Sequence, residues 1–436
     1  MSCLPTSLPS CSSAIGATRF CSLWVLLSIV LVSGVAMRQA LAETPPPMPV
    51  ITQPTLSTEQ IGGVAWPSSS AMSQMHQGQY ILRAAEGTLS RIPVEKVLLP
   101  HSNNTSPQNV QVDLGPDRTV YVRQGYFTDA QSQVLCKSTD GGRTWSAKPL
   151  TLPESMESEW LSQWKVLGDG TFIAVDMAVG PNVRTPAVVW ASTNEGQTWT
   201  RRAQIPVEMD LPTGNPYFSR YVHRGLSRLR NDTLLWCPDM RDNPYTDGNG
   251  VYSFQSTDGG FTWDEPDLMI DWGSEGGTTL LPSGKVLATM RYQRPQVAGD
   301  PAGTDSRGYK HLFLMDSDDG GQTWSTPRQL TTVYGQTFGY PAALGDGTVV
   351  VIHDTRYGPG PVGSRAMVSR DGGRTWLDEV YYLDSSLFAG SYTASVVLED
   401  DTILTIAGSS QAGNSWEAVK DHTDLYAIRW KPVTND

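Results

Sequence analysis

The sequence predicts an all-β fold: six four-stranded blades arranged in a ring as a six-bladed β-propeller, with seven blades as the alternative. Two observations predict it. Six pairs of short apolar segments alternate with period two around tight turns, the pattern of strands and not of helices. Five near-copies of one eight-residue phrase recur at intervals of about sixty residues, a spacing that marks a repeat architecture. Closing the blades into a ring leaves only short, protected strand edges.

Taken in order, residues 1–42 read as a secretory signal. Arg19 lies in a polar n-region, an apolar stretch over 23–32 continues to Met37, and Ala40-Leu41-Ala42 supplies the small residues of a cleavage site. The apolar stretch is shorter than the ~18 residues a spanning helix needs. The expected product is therefore secreted or periplasmic, with no membrane span after cleavage. Residues 43–77, with Pro45-Pro46-Pro47 and a Ser/Gln/Met-rich continuation, read as a linker, and the propeller occupies 78–436.

The hairpins follow. Segments 110–114 and 119–122 flank Gly115-Pro116-Asp117, and 161–167 and 171–175 flank Gly168-Asp169-Gly170. Segments 226–229 and 234–237 flank Asn231-Asp232, while 278–281 and 286–290 flank Pro282-Ser283-Gly284. The fifth pair, 342–344 and 349–353, flanks Gly345-Asp346-Gly347; the sixth, 394–398 and 403–406, flanks Glu399-Asp400-Asp401. Each of the first five is followed by one copy of S-x-D-x-G-x-T-W, running from Ser138 to Trp145, Ser192 to Trp199, Ser256 to Trp263, Ser317 to Trp324 and Ser369 to Trp376, with Asn194 replacing the acid in the second. An Asp or Asn oxygen that accepts backbone N–H bonds two residues on, followed by a Gly where φ is positive, builds a tight turn. Thr and Trp then start a strand, and the indole buries apolar surface. The phrase turns strand three of each blade into strand four, so its acids are structural. The sixth blade lacks a copy and is completed by 425–430, with a strand near 80–83 closing the ring.

Composition limits the partners. The chain carries a net charge of −12, and removing the leader takes away Arg19 and Arg38 but no acid. No basic run remains, which excludes nucleic acid as a partner. An acidic protein also gives an anionic ligand no long-range attraction, so recognition of a carboxylate must be local. Of five cysteines, Cys3, Cys11 and Cys21 belong to the leader, leaving Cys136 and Cys237 and at most one bridge. No metal or cofactor is expected, and the sequence is silent on oligomeric state.

The hairpin reading sorts residues by face. Turns between strands one and two share a face with the repeated phrases; residues starting strand one or leaving strand two converge on the other face, where a small ligand can be held. Gln108, Asn109 and Asp129 of blade one fall there, as do Trp160 and Asp176 of blade two and His223, Arg224, Asp239 and Arg241 of blade three. Blade four contributes Glu275 and Arg291, blade five Tyr340, Asp354, Arg356 and Arg365, and blade six Tyr392. A longer loop at 292–309 is the candidate lid.

The eight-residue phrase resembles the Asp-box of the sialidase (neuraminidase) superfamily, and the resemblance covers nearly all of the chain after its leader. It implies an exo-glycoside hydrolase that releases a terminal acidic sugar from a glycan or glycoconjugate by a retaining mechanism with a Tyr nucleophile. A carboxylate on the anomeric carbon would repel an attacking carboxylate; a Tyr attacks as a neutral group once a Glu takes its proton. An Asp serves as acid, and three arginines hold the substrate carboxylate. The segment from Glu275 to Arg291 looks like the sialidase stretch that carries the activating Glu and one of those arginines at the open ends of one hairpin. By the same resemblance Tyr392 is the nucleophile, Asp129 the acid/base and Arg365, or else Arg356, the arginine of blade five. Each has a plainer reading: an ion pair at a strand end, a core Tyr, a turn-forming Asp, a solvated loop charge.

The chain departs from the pattern at the first arginine. Sialidases carry Arg-Ile-Pro where the first inner strand starts, and counting back from Asp117 puts Gln108 or Asn109 there. Arg91-Ile92-Pro93 is read as a chance match, although Arg91 or Arg224 could fill the gap. A glycan-binding propeller without catalysis, or a polysaccharide lyase using His223 and Tyr340 on uronic acids, are the rival readings.

Overall fold

The computed structural model describes residues 79–83, 88–100, 110–124, 133–153, 163–176, 187–205, 225–238, 251–270, 273–294, 309–331, 336–355, 363–376, 379–384, 393–409 and 424–433. Six sheets form a six-bladed β-propeller. Blade one pairs Gln111–Leu114, Val120–Gln124, Val134–Ser138 and Ser146–Pro149, and blade two Gln163–Val166, Phe172–Asp176, Ala187–Ser192 and Thr200–Ile205. Blade three is Leu226–Arg228, Leu234–Trp236, Val251–Ser256 and Asp267–Ile270; blade four is Ser274–Leu280, Val286–Arg294, Tyr309–Ser317 and Arg328–Gln329. Blade five runs through Gln336–Ala343, Val349–Thr355, Gly363–Ser369 and Glu379–Asp384. Every expected hairpin forms the first two strands of a blade. The leader and linker read from the sequence lie outside the described residues.

Closure differs from the expectation. Blade six takes Ala394–Val397, Ile403–Ser409 and Asp424–Trp430, and its fourth strand is Glu95–Leu98 from the N-terminal side. The strand Gln79–Arg83, expected to close the ring, instead pairs with Glu379–Asp384 and with Thr88–Ile92, widening the outer edge of blade five. The reason is chemical matching. Leu99, which is buried, donates its N–H to Leu425 O at 2.9 Å, Glu95 pairs with Arg429 Nε at 3.0 Å, and Lys96 lies 4.1 Å over the Tyr426 ring. Four residues with two charges carry too little periodicity to stand out in a sequence. Arg91 and Ile92 end the outer strand Thr88–Ile92, and Pro93 precedes the next outer strand, Glu95–Leu98, so the triplet does not start an inner strand.

The core lies between blades. Val112, Val120 and Cys136 of blade one pack on Leu404, Ile406 and Ala427 of blade six, and Tyr121 and Leu135 pack on Trp164 and Phe172 of blade two. Tyr121 meets Phe172 edge-on at 5.0 Å, the geometry the ring quadrupoles favour. Cys136 and Cys237 are both free thiols inside such layers. Burial pushes Cys136 up to about 12 and Cys237 higher still, so both are inert thiols in a stability supplied by packing.

Inner strands of neighbouring blades belong to separate sheets, so side chains tie them together. Asp113 Oδ2 accepts from Val166 N at 2.7 Å while Arg228 donates to Val166 O at 2.5 Å, fastening blades one, two and three through one residue. Asp401 Oδ1 accepts from Gly345 N at 2.7 Å between blades six and five, and Thr289 Oγ1 donates to Gly339 O at 2.7 Å between blades four and five.

The repeated phrases behave as turns, with a longer reach than the two residues expected. Asp140 Oδ1 accepts from the N–H groups of Arg143 and Thr144 at 3.0 and 2.9 Å, three and four residues on, and Oδ2 from Thr144 Oγ1 at 2.6 Å. Ser138 Oγ accepts from Gly142 N at 2.8 Å, and the Trp145 indole donates to Gly142 O at 3.0 Å. Asp258, Asp319 and Asp371 repeat the arrangement. Asn194 keeps it by reversing one bond: its amide donates to Thr198 Oγ1 at 2.9 Å, which is why the acid is dispensable there. Gly142 needs its φ of +90° and has Leu404 2.8 Å from where a Cβ would stand, so only glycine fits.

Candidate active site

Blade four builds the site through a bulge. Ser274 pairs with Arg291 and Gly277 with Thr289, so the inner strand spends one extra residue between these rungs. In a regular ladder Glu275 would face away from Arg291, since successive side chains alternate. The bulge gives Glu275 a φ of +46°, a region that costs a side-chain-bearing residue ~1–2 kcal/mol. That turn brings its carboxylate onto Arg291: Arg291 Nη1 donates to Glu275 Oε2, and Arg291 Nε donates to Ser274 Oγ at 3.2 Å. Both members of the pair are buried, 7% and 4% exposed, so the ion pair is only weakly screened by solvent. Gly276 follows because a Cβ there would sit 2.2 Å from Thr289 O.

Blade five repeats the device. Thr337 pairs with Asp354 and Tyr340 with Ile352, again with one extra residue, and Phe338 takes a φ of +58°. The two bulges are side by side: a Cβ on Gly277 would meet Gly339 O at 3.2 Å, and one on Gly339 the Thr289 side chain at 3.1 Å. Phe338, buried, places its ring 5.6 Å from the Arg291 guanidinium carbon, a cation–π contact that adds a third side to the cradle. The sequence reading missed Ser274 and Phe338. The glycines at 276, 277 and 339, where strands ought to be apolar, were the signal that could have found them.

The other expected residues are placed as follows. Glu275 and Arg291 come together, as the hairpin reading required. Arg365 lies on the third strand of blade five, 1% exposed and directly across from His353. Burial first, and then the Arg365 charge, lower His353 to about 3, so it is a neutral imidazole at ordinary pH. Asp354 is buried in the same blade. Tyr340 sits below the blade-five bulge on the wall of the axial channel, with Lys165 and Arg228. Tyr392, Asp129, Arg356, Arg224 and Gln108 lie outside the described residues, as does most of the candidate lid. Among the described residues no cluster of three or more His, Cys, Asp or Glu could hold a metal ion, and no helix is long and apolar enough to cross a membrane.

Comparison with known proteins places this geometry. Residues 55–351, more than half of the chain, match the BNR repeat-like domain. The chain belongs to the BNR repeat-like domain family. A curated relative named Sialidase, from Bacteroides fragilis, is 30% identical over 189 residues, 35% of this chain and 33% of that protein. The match thus spans about a third of the relative's length. With it, this BNR repeat-like chain falls in the sialidase superfamily. Among solved structures it is similar to a Dyadobacter fermentans protein of unknown function, at 17% identity and a TM-score of 0.53 over 78% of this chain and 100% of that one. It is also similar to the α-L-arabinofuranosidase Arb93A of Fusarium graminearum, at 16% identity and a TM-score of 0.53 over 77% and 97%. A Penicillium chrysogenum α-L-arabinanase matches at 14% identity and a TM-score of 0.52, over 77% and 98%. The fold of this BNR repeat-like protein is therefore the propeller shared by sialidase-like and arabinanase-like glycoside hydrolases.

Proposed function

We propose that the protein is a secreted or periplasmic exo-glycoside hydrolase that releases a terminal acidic sugar, sialic acid or a relative, from a glycan. The observation that carries the reading is the bulged hairpin of blade four, which holds Glu275 against Arg291 at the end of the ring remote from the repeated turns. A membership shared with sialidases supports it. In this reading Tyr392 attacks the anomeric carbon and Glu275 takes its proton. Asp129 protonates the leaving oxygen and then activates water, and Arg291 and Arg365 hold the sugar carboxylate. Arg291 is pre-oriented by Ser274, Glu275 and Phe338, so less ordering is left to the substrate.

Incubation with a fluorogenic sialoside tests this. Turnover that disappears in Tyr392→Phe is the expected result. Binding without turnover would replace the hydrolase with a glycan-binding propeller. Gln108 or Asn109, where sialidases carry the first arginine, favours one further reading, a terminal sugar with less demand for carboxylate recognition. A fluorogenic arabinofuranoside is the comparison substrate, since enzymes of the same fold act on arabinans. Its hydrolysis in place of the sialoside would select that reading.

A further inference from the structure

A cavity of about 210 Å³ lies on the ring axis, and the inner strands of all six blades line it. Its wall includes the residues just before the inner turns, such as Leu114, Leu280 and Val397, so it reaches toward the turn end and away from Glu275 and Arg291. For an acidic chain its chemistry is unusual. Lys165 and Arg228 face a single lining carboxylate, Asp113, and Arg228 has Asp232 at 3.8 Å as well; of the lining hydroxyls, Ser227 is bonded to Thr278 at 2.5 Å and Ser395 to Thr405 at 3.0 Å. Asp113 Oδ2 is already committed to Val166 N at 2.7 Å, and Arg228 to Val166 O at 2.5 Å.

Lys165 is different. Its side chain is 12% exposed, its nearest carboxylate oxygen is Asp113 Oδ1 at 3.9 Å, and among the described residues its ammonium donates no hydrogen bond. Burial works against its charge, but the Asp113 carboxylate and Tyr340 outweigh that and raise it, so it remains an ammonium at neutral pH. An ammonium has three donors, and leaving them unmet inside a protein is costly. The cavity has room for several waters at ~30 Å³ each, hence for a small ion together with its bridging waters.

We propose that the axial channel binds a small oxyanion of the phosphate or carboxylate class, held by the Lys165 ammonium. The anion completes the donors of Lys165 and draws adjacent inner strands together where no backbone pairing joins them. The site is separate from the proposed catalytic one and does not depend on it.

Thermal unfolding of the full chain, titrated with sodium phosphate or sodium acetate at constant ionic strength set by sodium chloride, tests the proposal and distinguishes the two sources. The midpoint is expected to rise with the logarithm of one of the two anion concentrations, as mass action requires for a ligand of the native state. Lys165→Met is expected to abolish that rise and Lys165→Arg to keep it. No rise with either anion, or an equal rise in Lys165→Met, would overturn the site. Should Lys165→Met not fold, Lys165→Gln, which keeps a polar side chain and removes the charge, must abolish the rise, and an unchanged titration is equally decisive against the site.

Discussion

At one end of the ring, five turns bend the chain with side chains that satisfy their own backbone. The carboxylates of Asp140, Asp258, Asp319 and Asp371 accept from residues three and four positions on, each within its own turn. At the other end, two bulges bend the chain, and the bent residues are Glu275 and Phe338 in the left-handed region. The first arrangement spends its acids on the fold. The second spends backbone strain to aim an acid at a buried arginine, and strain of that kind persists where the surrounding structure enforces it and often marks function. Of two sets of carboxylates in one chain, those in the turns bond their own backbone and Glu275 at the bulge faces a buried arginine.

The sharpest way to break this contrast is Glu275→Gln. It leaves the Arg291 charge buried without its counterion and is expected to cost about 3–5 kcal/mol in denaturant unfolding, together with loss of turnover. A variant as stable and as active as the parent would remove Glu275 from the site.

Next in size is a pair of glycine substitutions. Gly276→Ala drives a Cβ into Thr289 O at 2.2 Å and is expected to cost about 1–3 kcal/mol by overpacking and to lower turnover by displacing Glu275. Gly320→Ala, in a repeated turn with φ of +80° and nothing within 4 Å, carries backbone strain alone, about 1–2 kcal/mol, with turnover unchanged. Equal effects on turnover would erase the distinction between the ends.

Acid sharpens it from another side. His353 has a folded value near 3 against an ordinary 6.5, so the unfolded chain binds the extra proton between those limits. Stability is therefore full above pH 6.5 and falls as pH drops toward 3, and His353→Gln should flatten that part of the profile. The turn aspartates act lower. Burial raises Asp258 and Asp319, but bonds from Thr262 and Thr323 hold both at about 2, against an ordinary 3.8. Their contribution is complete above pH 3.8 and is lost as pH falls through about 2. The smallest expected effect is that of Asp140→Ala, about 1 kcal/mol from an exposed turn with no change in turnover.

The blades were legible because period-two alternation and a phrase repeated five times both report local structure, and they agreed. The pairing of Glu275 with Arg291 was legible through the hairpin that joins them. The closing strand was not, since Glu95–Leu98 is short, charged and held by Arg429 and Tyr426 from the far end of the chain. Ser274 and Phe338 were hidden for a related reason: a bulge is a property of two strands in register, and each strand alone shows only an unexplained glycine. The axial Lys165 reads as an ordinary strand residue until six inner strands are placed around one axis.

Initial rates on a fluorogenic sialoside for the parent, Glu275→Gln and Asp140→Ala, each confirmed folded by circular dichroism, test the central claim most directly. The account predicts turnover in the parent, none in Glu275→Gln, and parental rates in Asp140→Ala. Parental rates in Glu275→Gln, or a loss confined to Asp140→Ala, would contradict it.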